Sequence, residues 1–230
     1  MKKYLILLGL FTSLSANAAL LKSYDFDGGL TDTLSNGSDL IASGGTVTGG
    51  RYDFTDNQGL KLTSALANTS DYAIEIKMQV NDSVGGFNKV IDFSELASDT
   101  GLYILSGKLN FFGAGGNVGS LTLNTDFTVG LARSGGNLEL FLNGTSLWSG
   151  ADSTGHGISA SNILNFFEDD NATNQNESFA GSVDFIRIHD DASTFGSVIA
   201  PPNAVPVPAA LFMFAPALLG FLGLRRKTQA

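Results

Sequence analysis

Residues 71–80, DYAIEIKMQV, alternate: Tyr72, Ile74, Ile76, Met78 and Val80 are apolar, and between them stand Ala73, Glu75, Lys77 and Gln79. Successive side chains of a strand point to opposite faces, so this spacing predicts a strand with one apolar face and one mixed face. A strand of that kind belongs to an antiparallel sheet that is covered on one side.

Outward from it the same punctuation continues. In NLELFLNGTSLW (137–148), Leu138, Leu140 and Leu142 share a face, Asn143-Gly144 supplies two residues that tolerate positive φ, and Thr145–Trp148 returns alongside; this reads as a hairpin on a type I′ turn. Further strands are expected at 21–26, 51–54, 87–93, 102–105, 108–112, 120–123, 127–132, 163–167 and 183–189. The spacers are rich in Gly, Asn, Asp, Ser and Thr, and helical periodicity is nearly missing. Ten or more short strands in one domain imply an all-β fold of two packed sheets. Past Asp190 the chain turns small, polar and proline-containing, and Pro201 and Pro202 cannot join a ladder, so 196–204 reads as a linker.

The 230 residues contain no cysteine, 13 basic and 22 acidic side chains. Five of the basic ones (Lys2, Lys3, Arg225, Arg226, Lys227) lie at the two ends and all the acids lie between, so the middle has 8 basic against 22 acidic residues, net −14. Such a body does not attract nucleic acid. Without disulfides its stability must come from a core, and residues 19–195 suffice for one domain.

Both ends read as address labels. Lys2 and Lys3, an apolar run from Tyr4 to Leu14, and Ala16-Asn17-Ala18 form a signal peptide over 1–18, with cleavage expected between Ala18 and Ala19. At the other end, Val207–Leu224 carries no charge over 18 residues. As a helix it spans roughly 27 Å, close to the thickness of a bilayer core. Pro208 suits its first turn, and Arg225, Arg226 and Lys227 stop it on the cytoplasmic side. The expectation is an exported domain on a C-terminal transmembrane helix.

VPVPAALFMFAPALLGFLGLRRK (205–227) resembles the PEP-CTERM sorting signal in its VPLPA variant: the motif Val205-Pro206-Val207-Pro208, a hydrophobic helix, then the basic cluster. Val207 stands where the main form has glutamate. The resemblance implies an exosortase-type processing enzyme as partner, transient residence in the inner membrane of a Gram-negative bacterium, and delivery to the cell surface or matrix. The middle domain resembles the laminin-G-like or concanavalin A-like jelly roll. The resemblance is carried by YDFDGG (24–29), DYAIEIKMQV, DFTVGLARSGGNLELFLNGTSLWSG (126–150) and SFAGSVDFIRIHDDAST (178–194), in that order. It implies a two-sheet antiparallel sandwich of about a dozen strands, whose relatives bind glycans, proteins or Ca²⁺ or cleave glycans.

The densest acidic patch is FFEDDNATNQNESFAG (166–181). Glu168, Asp169, Asp170, Asn171 and Glu177 offer the kind of oxygens Ca²⁺ takes, and equally suit a solvated loop. The patch is similar to the calcium loop of pentraxins. Asp184 shares parity with Ile186 and Ile188 and is expected to face the core, where it needs a partner or a metal; Asp27 and Asn36 are candidate co-ligands. Trp148, Phe166 and Phe167 are candidate sugar-stacking rings that serve core packing equally well. Catalytic signals are weak. Neither Glu75 nor Glu139 lies on a strand with the three-acid spacing of sandwich glucanases, and two histidines without a cysteine make poor material for a nucleophilic triad. The leading expectation is a non-enzymatic surface or matrix module that binds extracellular polysaccharide or surface protein. The alternatives are a divergent glycan-degrading enzyme and a structural envelope component.

Overall fold

The computed structural model describes residues 18–195. The signal segment before Ala18, the linker after Phe195 and the sorting signal at 205–227 lie outside the described residues. Among the described residues no helix is long and apolar enough to cross a membrane.

Tyr72–Val80 forms β6, and its alternation is realised in full: Tyr72, Ile74, Ile76, Met78 and Val80 are all buried in one apolar cluster between two sheets. The first sheet has eight antiparallel strands. Its path is β13 (Thr145–Ala151), β12 (Asn137–Leu142), β11 (Phe127–Ser134), β6, β15 (Gly181–His189), β4 (Arg51–Phe54) and β3 (Thr46–Thr48). β1 (Leu20–Tyr24) shares the edge of β15 with β4. The second sheet has seven strands, in the order β10 (Gly115–Val118), β9 (Lys108–Phe112), β8 (Gly101–Leu105), β7 (Phe87–Asp92), β14 (Ile163–Phe166), β5 (Leu60–Thr63) and β2 (Ile41–Ala42). Between them, Leu102, Ile104, Leu109, Phe111, Leu164 and Phe166 of the second sheet meet the apolar face of the first. Each fully buried side chain of this size contributes about 1.5–3 kcal/mol.

The all-β, two-sheet expectation holds. At the 143–144 hairpin φ is 51° at Asn143 and 76° at Gly144, the pair of positive angles a type I′ turn needs. Residues 120–123 are not a strand. The edge strand is β10, five residues closer to β9, where Gly115 and Gly116 conceal the alternation on which a strand is recognised. β2, β3 and β5, of two to four residues, lie among glycine-rich turns and are too short for periodicity to reveal.

One expectation fails at a bulge. The pairing of β15 with β6 shifts between Val183 and Phe185: Val183 opposes Met78, but Phe185 opposes Lys77. The extra residue is Asp184, and it resets parity so that Ile186 and Ile188 return to the core while Asp184 does not. Its carboxylate lies on the outer face, 2.6 Å from Lys77 Nζ and 4.0 Å from Arg51.

Candidate functional site

The acidic loop does not stand in solvent. After β14 the chain is tied to β7 at two adjacent residues, Phe167 N–H donating to Val90 C=O and Lys89 N–H to Glu177 C=O. The intervening loop folds over the flank of the seven-stranded sheet. There, Lys89, Asp92, Asp169 and Asp170 have no solvent exposure. Lys89 Nζ contacts Asp170 Oδ2 directly, lies 3.6 Å from Asp92 Oδ2 and 3.9 Å from Asp169 Oδ1, and donates to Ser98 C=O. The ring of Tyr103 closes one side, its centroid 5.0 Å from Nζ.

The remaining oxygens are unevenly served. Asp170 Oδ1 accepts from Ala172 N–H, and Asp169 Oδ2 from Thr173 Oγ1 and Glu177 N–H. Asp92 Oδ1 accepts from the amides of Ser94 and Leu96. Asp92 Oδ2 and Asp169 Oδ1 are buried without a hydrogen-bond donor. One ammonium therefore faces three fully buried carboxylates. Burial pushes the Asp92 carboxyl above its usual range against the pull of those amides and of Lys89. Glu177 and Asp99, at the rim, are raised by burial and then by neighbouring carboxylates.

This arrangement does not fit a Ca²⁺ shell. The ammonium of Lys89 stands among the oxygens a divalent cation would need, and two like charges cannot share that space. Glu168 leaves the set altogether, accepting from Ser43 Oγ on the exposed side, and the Asn171 side-chain amide donates to Leu96 C=O. Among the described residues no group of three or more His, Cys, Asp or Glu has the geometry to hold a metal. Asp27 is exposed with its carboxylate beside Gly50, Asn36 donates to Leu21 C=O, and Asp184 is held by Lys77 and Arg51. The sequence pattern missed Lys89. Its signal was a single cation inside the apolar run FNKVIDF (87–93).

The candidate aromatic rings also move inward. Phe166 and Phe167 are fully buried, and Phe167 stacks on Phe54 with centroids 4.7 Å apart, so neither offers a face to a ligand. Trp148 is half-buried on the edge strand β13, packed against the core. A Cβ at Gly115 or Gly150 would come within 3.1 and 2.3 Å of its indole, so both positions must be glycine for the ring to close the open side of the sandwich. A different aromatic group lies on the outer side of the seven-stranded sheet, with Tyr103 fully buried against Lys89 and Phe112 exposed. On β7, β8 and β9, Phe87, Tyr103 and Phe112 lie on the face away from the core, with mutual centroid distances of 5.5 to 6.1 Å. Phe112 is 39% exposed, and Lys108 and Asn110 share its side of β9. Two shallow depressions of about 280 and 140 Å³ lie elsewhere; each is lined by one carboxylate, Asp53 or Asp126.

Two-sheet sandwiches of this form recur among solved structures. Domain 4 of AbnA, a GH43 extracellular arabinanase from Geobacillus stearothermophilus solved with arabinotriose, aligns over 79% of this chain and 97% of its own, with TM-score 0.60 and 14% identity. Trypanosoma rangeli sialidase aligns over 76% of this chain but 31% of its own (TM-score 0.62, 11% identity), and the botulinum neurotoxin serotype D binding domain over 79% and 50% (TM-score 0.57, 14% identity). At these identities the likeness defines the fold alone, an antiparallel β-sandwich. No family model and no curated protein matches the chain.

Proposed function

We propose that this chain is an exported, non-catalytic module of the laminin-G-like type that binds extracellular polysaccharide at the cell surface. The observation that carries this is the Phe112 ring, exposed on the outer face of the seven-stranded sheet and packed against Phe87 and Tyr103. The exposed Phe112 ring, braced edge-on by Phe87 and by the buried Tyr103, stands beside an amide (Asn110) and a cation (Lys108) and suits the apolar face and hydroxyls of a sugar chain. Glycosidic cleavage needs two carboxyl groups flanking the bond, and each depression has one while the acid-rich cluster is sealed from solvent.

Export is supported by the first described residues. Ala19 N–H donates to Asp190 Oδ1 at 2.6 Å, and Asp190 N–H donates back to Ala19 C=O. Cleavage between Ala18 and Ala19 turns that amide into an ammonium on the Asp190 carboxylate and seals the two ends of the domain together. The C-terminal signal then holds the domain at the inner membrane until an exosortase-type enzyme acts.

The test is a glycan array probed with the full chain, with Ca²⁺ and with chelator. Binding in both conditions, lost at least tenfold in Phe112→Ala, is expected. No binding in either condition sinks the reading and favours a structural envelope role; binding that needs Ca²⁺ restores a metal site.

A further inference from the structure

Lys89 and Asp170 lie in direct contact with no solvent exposure. Three features coincide: an amine and a carboxyl in direct contact, complete exclusion of water from both, and a second carboxyl, Asp92, 3.6 Å from the amine with an oxygen that no donor serves. We infer that Lys89 and Asp170 condense spontaneously into an internal amide, joining β7 to the loop that follows β14.

The chemistry balances with these groups alone. Three acids crowd one amine in a site closed to solvent, and condensation, which removes one charge of each sign, relieves the cost of burying the pair. The Lys89 Nζ lone pair attacks Asp170 Cγ. Asp92 relays two protons from nitrogen to the departing oxygen, one before the attack, which frees the lone pair, and one after it. The C–O bond breaks, a C–N bond remains, and one water leaves; nothing is oxidised or reduced. Contact between attacking and attacked groups, held on hydrogen-bonded backbone, supplies the proximity that makes an otherwise slow condensation intramolecular. Phe167 N–H to Val90 C=O and Lys89 N–H to Glu177 C=O fix both ends of the loop on β7. Tyr103 covers the amine and excludes solvent. An exported chain without cysteine thereby gains a covalent brace of the kind disulfides give elsewhere.

The experiment is a tryptic map of the full chain after folding. An amide on Lys89 blocks cleavage there, so residues 78–108 are expected joined to 134–187, at the summed mass less one water. Asp170→Ala is expected to give both peptides unlinked, with cleavage restored after Lys89. Asp92→Asn keeps an oxygen for the Ser94 and Leu96 amides but cannot shuttle the proton; it is expected to fold with wild-type circular dichroism and remain unlinked. Free 90–108 and free 134–187 from folded wild-type protein overturn the inference. So does a linked Asp170→Ala, and so does a linked Asp92→Asn.

Discussion

Two buried ion pairs of this sandwich are built on opposite plans. In one, Arg133 on β11 donates through Nε to Asp152 Oδ2 at 2.8 Å and through Nη1 to Ser70 C=O, while Asp152 also accepts from the amides of His156 and Gly157. Both oxygens of the acid are served and charge is matched one to one. In the other, Lys89 is shared by three acids, and two oxygens have no donor. A matched pair ties a loop to a strand and asks for nothing more. An unmatched one leaves protons to be placed, which is the condition for chemistry rather than for rest.

The largest effect expected from breaking this contrast is at the matched pair. Asp152→Ala leaves the Arg133 guanidinium buried without its carboxylate and frees the 155–157 turn, and should lower unfolding free energy by about 3–5 kcal/mol. Urea denaturation measures it. A loss below about 1 kcal/mol would mean that the pair is solvated and the contrast is false.

The unmatched cluster should respond differently to loss of one acid. Asp92→Asn removes a carboxylate that burial already disfavours, so its direct cost should be within about 1 kcal/mol of zero. If the internal amide is present, the variant also loses the brace. Its unfolding midpoint then falls below wild type by more than that of Asp92→Asn, Asp170→Ala falls below Asp170→Ala alone. In a double-mutant cycle the two changes are non-additive. Additive behaviour would show that Asp92 and Asp170 act independently.

The contrast also marks how far the amino-acid pattern could be read. β6, β11, β12 and the Asn143-Gly144 turn were legible because alternation and turn chemistry are local. Asp184 was placed in the core because parity was counted through a bulge that only the pairing partner reveals. The acid loop was seen, but its counter-ion lies 81 residues away in sequence, on a strand that meets it through the pairing of β7 with β14. A charge at that separation becomes a neighbour only after the sheet is assembled. Phe166 and Phe167 read as loop-end rings for the same reason: whether an aromatic caps a core or a ligand depends on what packs over it.

Exposed pairs on the other sheet give a smaller signal. Lys77 and Asp184 are 37% and 33% exposed, and the pair lies 2.6 Å apart on the outer face. Solvent screening limits such a pair to about 0–1 kcal/mol, so Lys77→Ala should fall in that range, and added salt should narrow even that difference. A loss comparable with Asp152→Ala would show that the outer face of the eight-stranded sheet is covered in the intact protein.

The smallest effect is a slope rather than a step. His189 is nearly buried at the end of β15, edge-on to Phe195, and neither ring nitrogen has a hydrogen-bond partner. Burial, and then Arg187, hold its pKa below the ordinary value of 6.5, while Asp190 and Asp191 pull weakly the other way. Above that value the imidazole is neutral in folded and unfolded chains and contributes nothing to pH dependence. As pH falls below 6.5 the unfolded chain takes up a proton that the folded one refuses, so stability falls until the lowered folded pKa is reached. Asp71, raised chiefly by burial, works in the opposite sense, gaining stability as pH drops toward its ordinary 3.8. Subtracting the His189→Leu profile from wild type isolates the histidine. The difference should be flat above pH 6.5 and should tilt in favour of the variant below it. A flat difference throughout would mean that the imidazole reaches water, and that the cap of Ala192–Phe195 over this edge is open in solution.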